Sequence, residues 1–263
     1  MPSPAHLRIA VALVRHGDYE QPEDVPSAHL PHPLTAKGRE QARELGARLH
    51  QAAADLDLEI APVLHASALL RASQTASIAA AALGERMPDR SFSIAESWDL
   101  AERSTGAAAN LTVQQIAAAV AADPRMPPLP RVWKTHPRFR LPFPGAESLM
   151  QAGARVAAHI ENQVHVRTHA LRGSLTNTPA SAAPAREQGT LEVFVSHGGA
   201  LRHAAVCMGA LELTAVPGLS MHHCGFVLLE LQRSPQEWED GAPGSWRQVG
   251  GQWKIRKPKH AHD

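Results

Sequence analysis

The chain has 263 residues, of which 44% are hydrophobic and 19% charged, so it can bury a sizeable core. Its 26 basic and 25 acidic residues nearly balance, which argues against a general nucleic-acid-binding protein. The two cysteines exclude a disulfide framework, and the apolar stretches fall short of the roughly 18 residues that cross a bilayer. Because Met1 to Arg8 lacks the basic-then-apolar layout of a signal peptide, we expect a cytoplasmic protein without membrane partners.

The first predicted elements are a buried strand and an amphipathic helix. Leu7 to Val14 is apolar and β-branched with little alternation, which is typical of a strand covered on both faces in a parallel sheet. A polar loop follows, and Thr35 is the expected N-cap of a helix. The stripe that this helix buries is predicted to consist of Ala42, Leu45 and Leu49.

Strand and helix then alternate again. Pro62 to Ala66 is predicted as a second short strand, followed by an alanine-rich helix that ends near Gly84. Ser91 to Ala95 is a third strand candidate. Thr112 and Gln115 have the spacing of a capping box, which predicts a helix through Ala122.

Two segments of unusual composition flank the next helix. Residues 124–145 contain seven prolines and five basic residues, which predicts a long loop or lid. Its positive charges would attract anionic substrates; the alternative is a solvated loop without substrate contact. From Glu147 a helix is expected, with a stripe of Leu149, Val156, Ile160 and Val164. Residues 173–189 are low in complexity and rich in small residues, and we predict a flexible insertion there.

The C-terminal third completes the pattern. We predict a strand over Leu191–Val195, a helix over Ala200–Leu211, a core strand over Gly225–Leu231, an edge hairpin over Trp246–Ile255 that turns at Gly250 and Gly251, and a frayed basic tail over residues 256–263. Strands that alternate with helices indicate one domain, residues 1–263, folded as a three-layer α/β/α sandwich around a mostly parallel sheet.

Two of the predicted strands end in a histidine followed by a glycine, namely His16-Gly17 and His197-Gly198. In open α/β sheets, ligands bind beyond the carboxyl ends of the strands, so neighbouring strands would bring both imidazoles to one crevice. Glycine after each histidine would let the backbone approach a ligand closely. The alternative is that each is an ordinary histidine at a strand end.

Charged residues near the same strand ends suit an anion. Arg15 precedes the first histidine, and Arg71 lies one helical turn beyond the second strand; their guanidinium groups match phosphate oxygens, although Arg71 taken alone is more typical of a solvated helix face. A carboxyl group would be needed to give a proton to a leaving oxygen. Glu96, Asp99 and Glu102 all follow the third strand, and spacing alone does not choose among them.

The 16 histidines also raise the alternative of a metal carrier. They are scattered along the chain, and neither His159 with His165 nor His222 with His223 offers a convincing cage of ligands. We therefore predict no metal site and no cofactor.

Five sequence elements occur in an order that resembles the histidine phosphatase superfamily, which has the phosphoglycerate mutase-like fold. They are Arg15-His16-Gly17, Ser67-x-x-x-Arg71-Ala72-x-Gln74-Thr75-Ala76, Leu100-x-Glu102-Arg103, Glu147-Ser148-Leu149 and Ser196-His197-Gly198. The resemblance extends from about Leu7 to Leu231, with the two segments of unusual composition as insertions.

The resemblance implies a metal-independent phosphomonoester hydrolase that acts on a phosphorylated small molecule or a phosphoprotein. His16 would be the nucleophile that forms a phosphohistidine, Glu102 the general acid, and His197 the third catalytic group. Contacts with the substrate are implied for Arg15, Arg71, Gly17, Gly198 and Arg103.

The same superfamily leaves two alternatives open. Its mutases carry Glu-Ser after the first Arg-His-Gly and Asn after the second His-Gly, whereas this chain has Asp18-Tyr19 and Gly199 there. The Glu102-Arg103 pair, in contrast, resembles the mutases, so cofactor-dependent phosphoglycerate mutase-type transfer remains an alternative. The other alternative is a non-catalytic phosphate-binding relative, although such proteins typically lack one of the residues found here.

Overall fold

The computed structural model describes residues 8–176, 189–233 and 244–256 and contains a six-stranded central sheet in the order β3-β2-β4-β1-β6-β7. Four mutually parallel strands form most of it: β1 (Ile9–Arg15), β2 (Leu58–Ser67), β3 (Ser93–Ser97) and β4 (Gly189–Ser196). The last two strands, β6 (Phe226–Gln232) and β7 (Ser245–Gly251), are antiparallel to their neighbours. The sheet is therefore mostly parallel, as the sequence predicts.

Helices cover both faces of this sheet. In the described part of the chain they are α1 (Ala36–Asp55), α2 (Leu70–Arg86), α3 (Val113–Ala122), α4 (Leu149–Thr176) and α5 (Gly198–Cys207). Short 3₁₀ turns occupy Trp98–Leu100, Gly106–Ala108 and Leu213–Gly218. A small second sheet joins β5 (Leu219–Ser220) to β8 (Lys254–Ile255).

Alternate residues of β1 feed two separate cores. Ala10, Ala12 and Val14 pack with α1 and α2, whereas Ile9, Val11 and Leu13 pack with α4 and α5. This alternation follows from the pleat, which points successive side chains to opposite faces. Because both faces are buried, the strand needs apolar residues at every position, and the three-layer sandwich is confirmed.

Both predicted N-caps are present. The Thr35 hydroxyl accepts a hydrogen bond from the backbone N–H of Gly38 at the start of α1. At α3, Thr112 and Gln115 form the reciprocal capping box. These side chains satisfy amide groups that have no partner within the first helical turn.

The predicted hairpin over residues 246–255 is wrong. β7 pairs with β6, and β8 pairs with β5, so the two strands of the expected hairpin belong to different sheets. Gly251 has φ +63°, which turns the chain out of the main sheet. Arg256 continues from β8 in an ordered position, its N–H donating to the carbonyl of Gly218, whereas the rest of the predicted frayed tail lies outside the described residues.

Other boundaries differ by a few residues. The second strand is longer than predicted. Helix α5 both begins and ends earlier than predicted, at Gly198 and Cys207; Gly209, two residues after its end, has φ +73°. Helix α4 runs to Thr176, into the start of the predicted insertion over residues 173–189. The greater part of that insertion, residues 177–188, lies outside the described residues.

The proline-rich segment, residues 124–145, forms turns and no helix or strand, as predicted. Trp133 and Leu141 are buried in a small cluster with Ile116 of α3. Directly after the segment, Ala146 pairs with Thr105. The segment therefore packs onto the body of the protein. No helix in the described ranges combines the length and the apolar character needed to cross a membrane.

Candidate active site

The two histidine–glycine motifs meet at the carboxyl ends of β1 and β4. Arg15 and Ser196 are paired in the parallel ladder, so the residues that follow them, His16 and His197, emerge side by side. Their ring centroids lie 5.0 Å apart, and both side chains are buried. The expectation that these imidazoles share one crevice is thus confirmed.

Hydrogen bonding fixes the tautomer of His16. Its Nδ1 lies 2.8 Å from the carbonyl oxygen of Gly17. Because a carbonyl oxygen only accepts, Nδ1 carries the proton and Nε2 has a free lone pair. Burial, together with the positive charges of Arg71 and Arg15, holds the pKa of His16 well below the ordinary value of a histidine. The imidazole is therefore neutral and able to act as a nucleophile near neutral pH.

His197 is held from the end of β2. Its Nε2 lies 2.9 Å from the hydroxyl of Ser67, which also accepts a hydrogen bond from the backbone N–H of Leu69. Nδ1 of His197 has no partner among the described residues. Burial and the charge of Arg71 also lower the pKa of His197 well below its ordinary value. When the Ser67 hydroxyl donates to Nε2, the ring proton is on Nδ1, and this Nδ1–H is available to donate to a bound anion.

Two predicted arginines lie against these rings. Arg15 donates to the carbonyl oxygen of Met221 at 2.7 Å, and Arg71 to that of Ala28 at 3.0 Å. The Arg71 guanidinium sits 4.6 Å from the ring centroid of Tyr19, and its Nε has no partner in the described structure. Burial is the main cause that lowers the pKa of both arginines, yet each remains charged at neutral pH.

These groups line a cavity of about 210 Å³, which we call the anion cavity. Its lining includes four arginines and one carboxylate: Arg15, Arg71, Arg202, Arg256 and Glu102. Such an excess of positive charge around two imidazoles stabilises a multiply charged anion such as a phosphoryl group.

The single carboxylate comes from Glu102. Its oxygens accept hydrogen bonds from the backbone N–H groups of Gly199, at 3.1 Å, and Ala200, at 3.0 Å, at the start of α5. A helix N-terminus favours a carboxylate at this place. The side chain of Glu96 instead accepts from Ser73, and that of Asp99 is 61% exposed and faces His159. Of the three candidate acids, Glu102 is the one that lines the anion cavity.

The turn before Glu102 is anchored in the core. Leu100 is fully buried, and its carbonyl accepts from the Ser196 hydroxyl at 2.6 Å. Arg155 of α4 donates to the carbonyl oxygens of Trp98, Asp99 and Ala101. The 3₁₀ turn thus orients the chain so that Glu102 points inward while Asp99 points to solvent.

Gly199 has to lack a side chain for this arrangement. A Cβ built on Gly199 would lie 2.8 Å from Oε1 and 3.0 Å from Oε2 of Glu102. Sequence reasoning used this glycine only to argue against a mutase. In the structure, the absence of a side chain at Gly199 leaves the space that the carboxylate of Glu102 occupies.

Two of the residues predicted to contact substrate lie elsewhere. Gly17 is absent from the cavity lining; a Cβ there would approach the carbonyl oxygen of Gly38 to 2.8 Å, so its glycine serves the packing of α1. The Arg103 guanidinium lies 5.9 Å from the Trp133 ring centroid and is likewise absent from the lining. Gly198, in contrast, does line the cavity. The structure gives Gly17 and Arg103 packing roles, and a substrate contact for either stays a prediction.

Among the aromatic and charged residues of the lining, sequence reasoning missed three. Tyr19 contacts His16 edge-on at 5.1 Å between ring centroids, Arg202 lies one turn into α5, and Arg256 arrives from the chain end. Arg202 stands four residues after Gly198, a spacing that places both on one helix face, so its position was detectable. Nothing local in the sequence brings Arg256 here, because the β5–β8 pairing positions it.

None of the five basic residues of the proline-rich segment lines the anion cavity; Lys134 lines an adjoining one. Steering of anionic substrates by this segment stays a prediction. In the described ranges, no three His, Cys, Asp or Glu side chains are grouped so that they could hold a metal ion.

Comparison with protein families gives a match over residues 11–240 to the histidine phosphatase superfamily (branch 1). No curated protein sequence is significantly similar to the chain.

Several solved structures share the fold. A mycobacterial hydrolase aligns with a TM-score of 0.61 and 20% identity, covering 92% of this chain and 97% of that one. A mycobacterial glucosyl-3-phosphoglycerate phosphatase in complex with vanadate (VO3) aligns with a TM-score of 0.58 and 20% identity, covering 91% of this chain and 96% of that one. A putative alpha-ribazole-5'-P phosphatase from Escherichia coli aligns with a TM-score of 0.56 and 20% identity, covering 86% of this chain and 91% of that one.

Proposed function

Because this chain belongs to the histidine phosphatase superfamily, we propose that it is a metal-independent phosphomonoester hydrolase that acts through a phosphohistidine on His16. The observation that carries the proposal is the buried imidazole of His16, with Nδ1 held by Gly17, in a cavity that four arginines line. The substrates that we propose are phosphorylated small molecules or phosphoproteins.

In the first step, Arg15, Arg71 and His197 hold the phosphoryl oxygens. The lone pair on Nε2 of His16 attacks phosphorus, and the bond from phosphorus to the leaving oxygen breaks as the nitrogen–phosphorus bond forms. Glu102, in its protonated form, gives its proton to the leaving oxygen. The alcohol then departs, and the positive charges stabilise the phosphoryl group during transfer.

In the second step, water attacks the phosphohistidine from the side that the alcohol has left. Glu102, now a carboxylate, takes a proton from this water. The nitrogen–phosphorus bond breaks, its electron pair returns to Nε2, and inorganic phosphate leaves. The chain's own arginines supply the positive charge that each step requires, and His197 contributes a hydrogen bond.

The test is product analysis with purified protein. We expect inorganic phosphate release from phosphomonoesters such as phenyl phosphate and glycerol phosphate, and loss of that release in His16→Ala. Full activity of the folded His16→Ala variant would overturn the mechanism. Isomerisation of phosphoglycerate that depends on a bisphosphate primer, without net phosphate release, would favour the mutase alternative instead.

A further inference from the structure

We propose that a second cavity beside the anion cavity binds the leaving group of the substrate, and that this leaving group combines an apolar body with an anionic group. The inference rests on the proposed hydrolase function and adds a substrate class to it. We call this space the leaving-group cavity. Its volume is about 340 Å³, within the range of cavities that bind small molecules.

The two cavities share a boundary. Arg202 and Arg256 line both of them, so a ligand that fills the anion cavity can extend past these guanidinium groups into the next space. Arg202 is held firmly at this boundary, because its Nε donates to the carbonyl of Gly198 at 2.9 Å and its Nη1 to the carbonyl of Leu219.

The position of Glu102 indicates which way a leaving group points. A group that protonates the leaving oxygen has to lie on the leaving side of the phosphoryl group. Glu102 is held by the first turn of α5, through Gly199 and Ala200, and the next residues of this helix, Arg202 and His203, line the leaving-group cavity. The leaving side of the anion cavity thus faces the second cavity.

The lining of the leaving-group cavity pairs apolar surface with positive charge. Its apolar and proline side chains are Pro137, Leu149, Leu213, Val216 and Pro217. Its charged side chains are Lys134, Arg202 and Arg256, and no carboxylate from the described part of the chain lines it. Burial lowers the pKa of His203 below the ordinary value, which disfavours a positive charge on this ring.

These positively charged side chains form no salt bridge in the described ranges. No ion pair found there includes Lys134, Arg202 or Arg256. Burial is the main cause that lowers the pKa of Arg202 to about 10; the like charge of Arg256 lowers it further, and the charge of Glu102 acts in the opposite direction. A bound anion would favour the charged guanidinium. A carboxylate or a phosphoryl group on the leaving alcohol supplies that anion, while the rest of the alcohol packs on the apolar wall.

The proline-rich segment gains a function from this placement. Lys134, Thr135 and Pro137 belong to it, and together they form one wall of the leaving-group cavity. The burial of Trp133 in the α3 cluster fixes that wall to the body of the protein. The segment therefore acts through one face that contacts the leaving group, and Arg131 and Arg138 lie outside the lining.

The experiment compares aryl phosphates that differ in one substituent. The probes are phenyl phosphate, 4-carbamoylphenyl phosphate, 4-carboxyphenyl phosphate and 4-phosphonophenyl phosphate, assayed by phosphate release. We expect KM for at least one of the two anionic probes to lie about fivefold or more below KM for the carbamoyl probe. A preference between carboxylate and phosphonate identifies which anion the cavity takes.

Variants at one exposed position separate this site from general electrostatics. Lys134→Gln is expected to raise KM for the preferred anionic probe about threefold relative to its effect on the carbamoyl probe, and Lys134→Glu to raise it further. Comparing variants with wild type removes differences in leaving-group reactivity. Arg131→Gln, in the same segment but outside the lining, is the matched control and should leave the ratio of KM between the anionic probes and the carbamoyl probe unchanged.

The outcomes distinguish the two proposals. Hydrolysis of phenyl phosphate with equal KM values for neutral and anionic probes, or equal effects of Lys134→Gln and Arg131→Gln, overturns the leaving-group cavity and leaves the hydrolase intact. Failure to hydrolyse any of the four probes overturns the proposed function, and the inference with it.

Discussion

Replacing Gly199 with alanine should displace the proposed general acid without unfolding the protein. The new Cβ would lie 2.8 Å and 3.0 Å from the two carboxylate oxygens of Glu102. Because carbon and oxygen atoms are comfortable at about 3.5 Å, the carboxylate has to retreat by about 0.5 to 1 Å. That retreat breaks the hydrogen bonds from the backbone N–H groups of Gly199 and Ala200.

The expected loss of kcat in Gly199→Ala follows from the proposed role of Glu102 as the general acid. General acid catalysis contributes about 100-fold to 10,000-fold, and a displacement of about 1 Å can cost about 100-fold. We expect kcat for an alkyl phosphate such as glycerol phosphate to fall about 10-fold to 100-fold in Gly199→Ala. For 4-nitrophenyl phosphate the loss should be much smaller, because 4-nitrophenolate departs without being protonated.

The assay is steady-state phosphate release from both substrates, with circular dichroism and thermal unfolding as checks on the fold. Gly84→Ala is the matched control: no atom lies within 4 Å of a Cβ there, and alanine is favoured within a helix. A folded Gly199→Ala protein with wild-type kcat for glycerol phosphate would refute the reasoning. An equal loss on both substrates would show that Glu102 does not protonate the leaving group.

Three further predictions test the surroundings of the site. Ser67→Ala removes the hydroxyl that lies 2.9 Å from Nε2 of His197, so kcat should fall about tenfold and the free energy of unfolding by about 1 kcal/mol. Restoration of wild-type kcat in Ser67→Thr would confirm that the hydroxyl positions the ring. An unchanged kcat in Ser67→Ala would contradict that role. Gly153→Ala should lower the free energy of unfolding in urea by about 1 to 3 kcal/mol, because the new Cβ would lie 2.5 Å from the backbone carbonyl carbon of His203. Unchanged stability would contradict the close packing of α4 on α5 at this position. The free energy of unfolding should fall as the pH drops from about 6.5 to about 4, because burial lowers the pKa of His65 and His223 to about 4 whereas histidines of the unfolded chain bind protons from about pH 6.5 downward. Although Glu192 lies 3.9 Å from His65, Arg167 pairs with that carboxylate, so His65→Gln should reduce the slope of stability against pH; an unchanged slope would contradict the assignment to His65.

The parts of the site that sequence reasoning found are those that strand order dictates. His16 and His197 follow apolar runs that can be read as buried strands, and parallel strands bring their carboxyl ends together. Arg71 follows the end of its strand by one helical turn, which places it at the same edge of the sheet as the two histidines. Local sequence and sheet topology determine these positions jointly, and both are visible in the pattern of residues.

The parts that sequence reasoning missed depend on contacts between distant segments. The choice of Glu102 over Asp99 depends on a 3₁₀ turn that Ser196 and Arg155 anchor. Arg256 reaches the anion cavity through the pairing of β5 with β8, two strands of two residues each. Such short strands carry no periodic signal, so the hairpin predicted for this region was wrong.

The mechanism is tested most directly by trapping the covalent intermediate. Protein mixed with a ³²P-labelled phosphomonoester and quenched with alkali within milliseconds should carry label that is stable to alkali, labile to acid and located on His16. The same experiment with His16→Ala should yield unlabelled protein. Label on a carboxylate or hydroxyl, or turnover by His16→Ala at the wild-type rate, would contradict the mechanism.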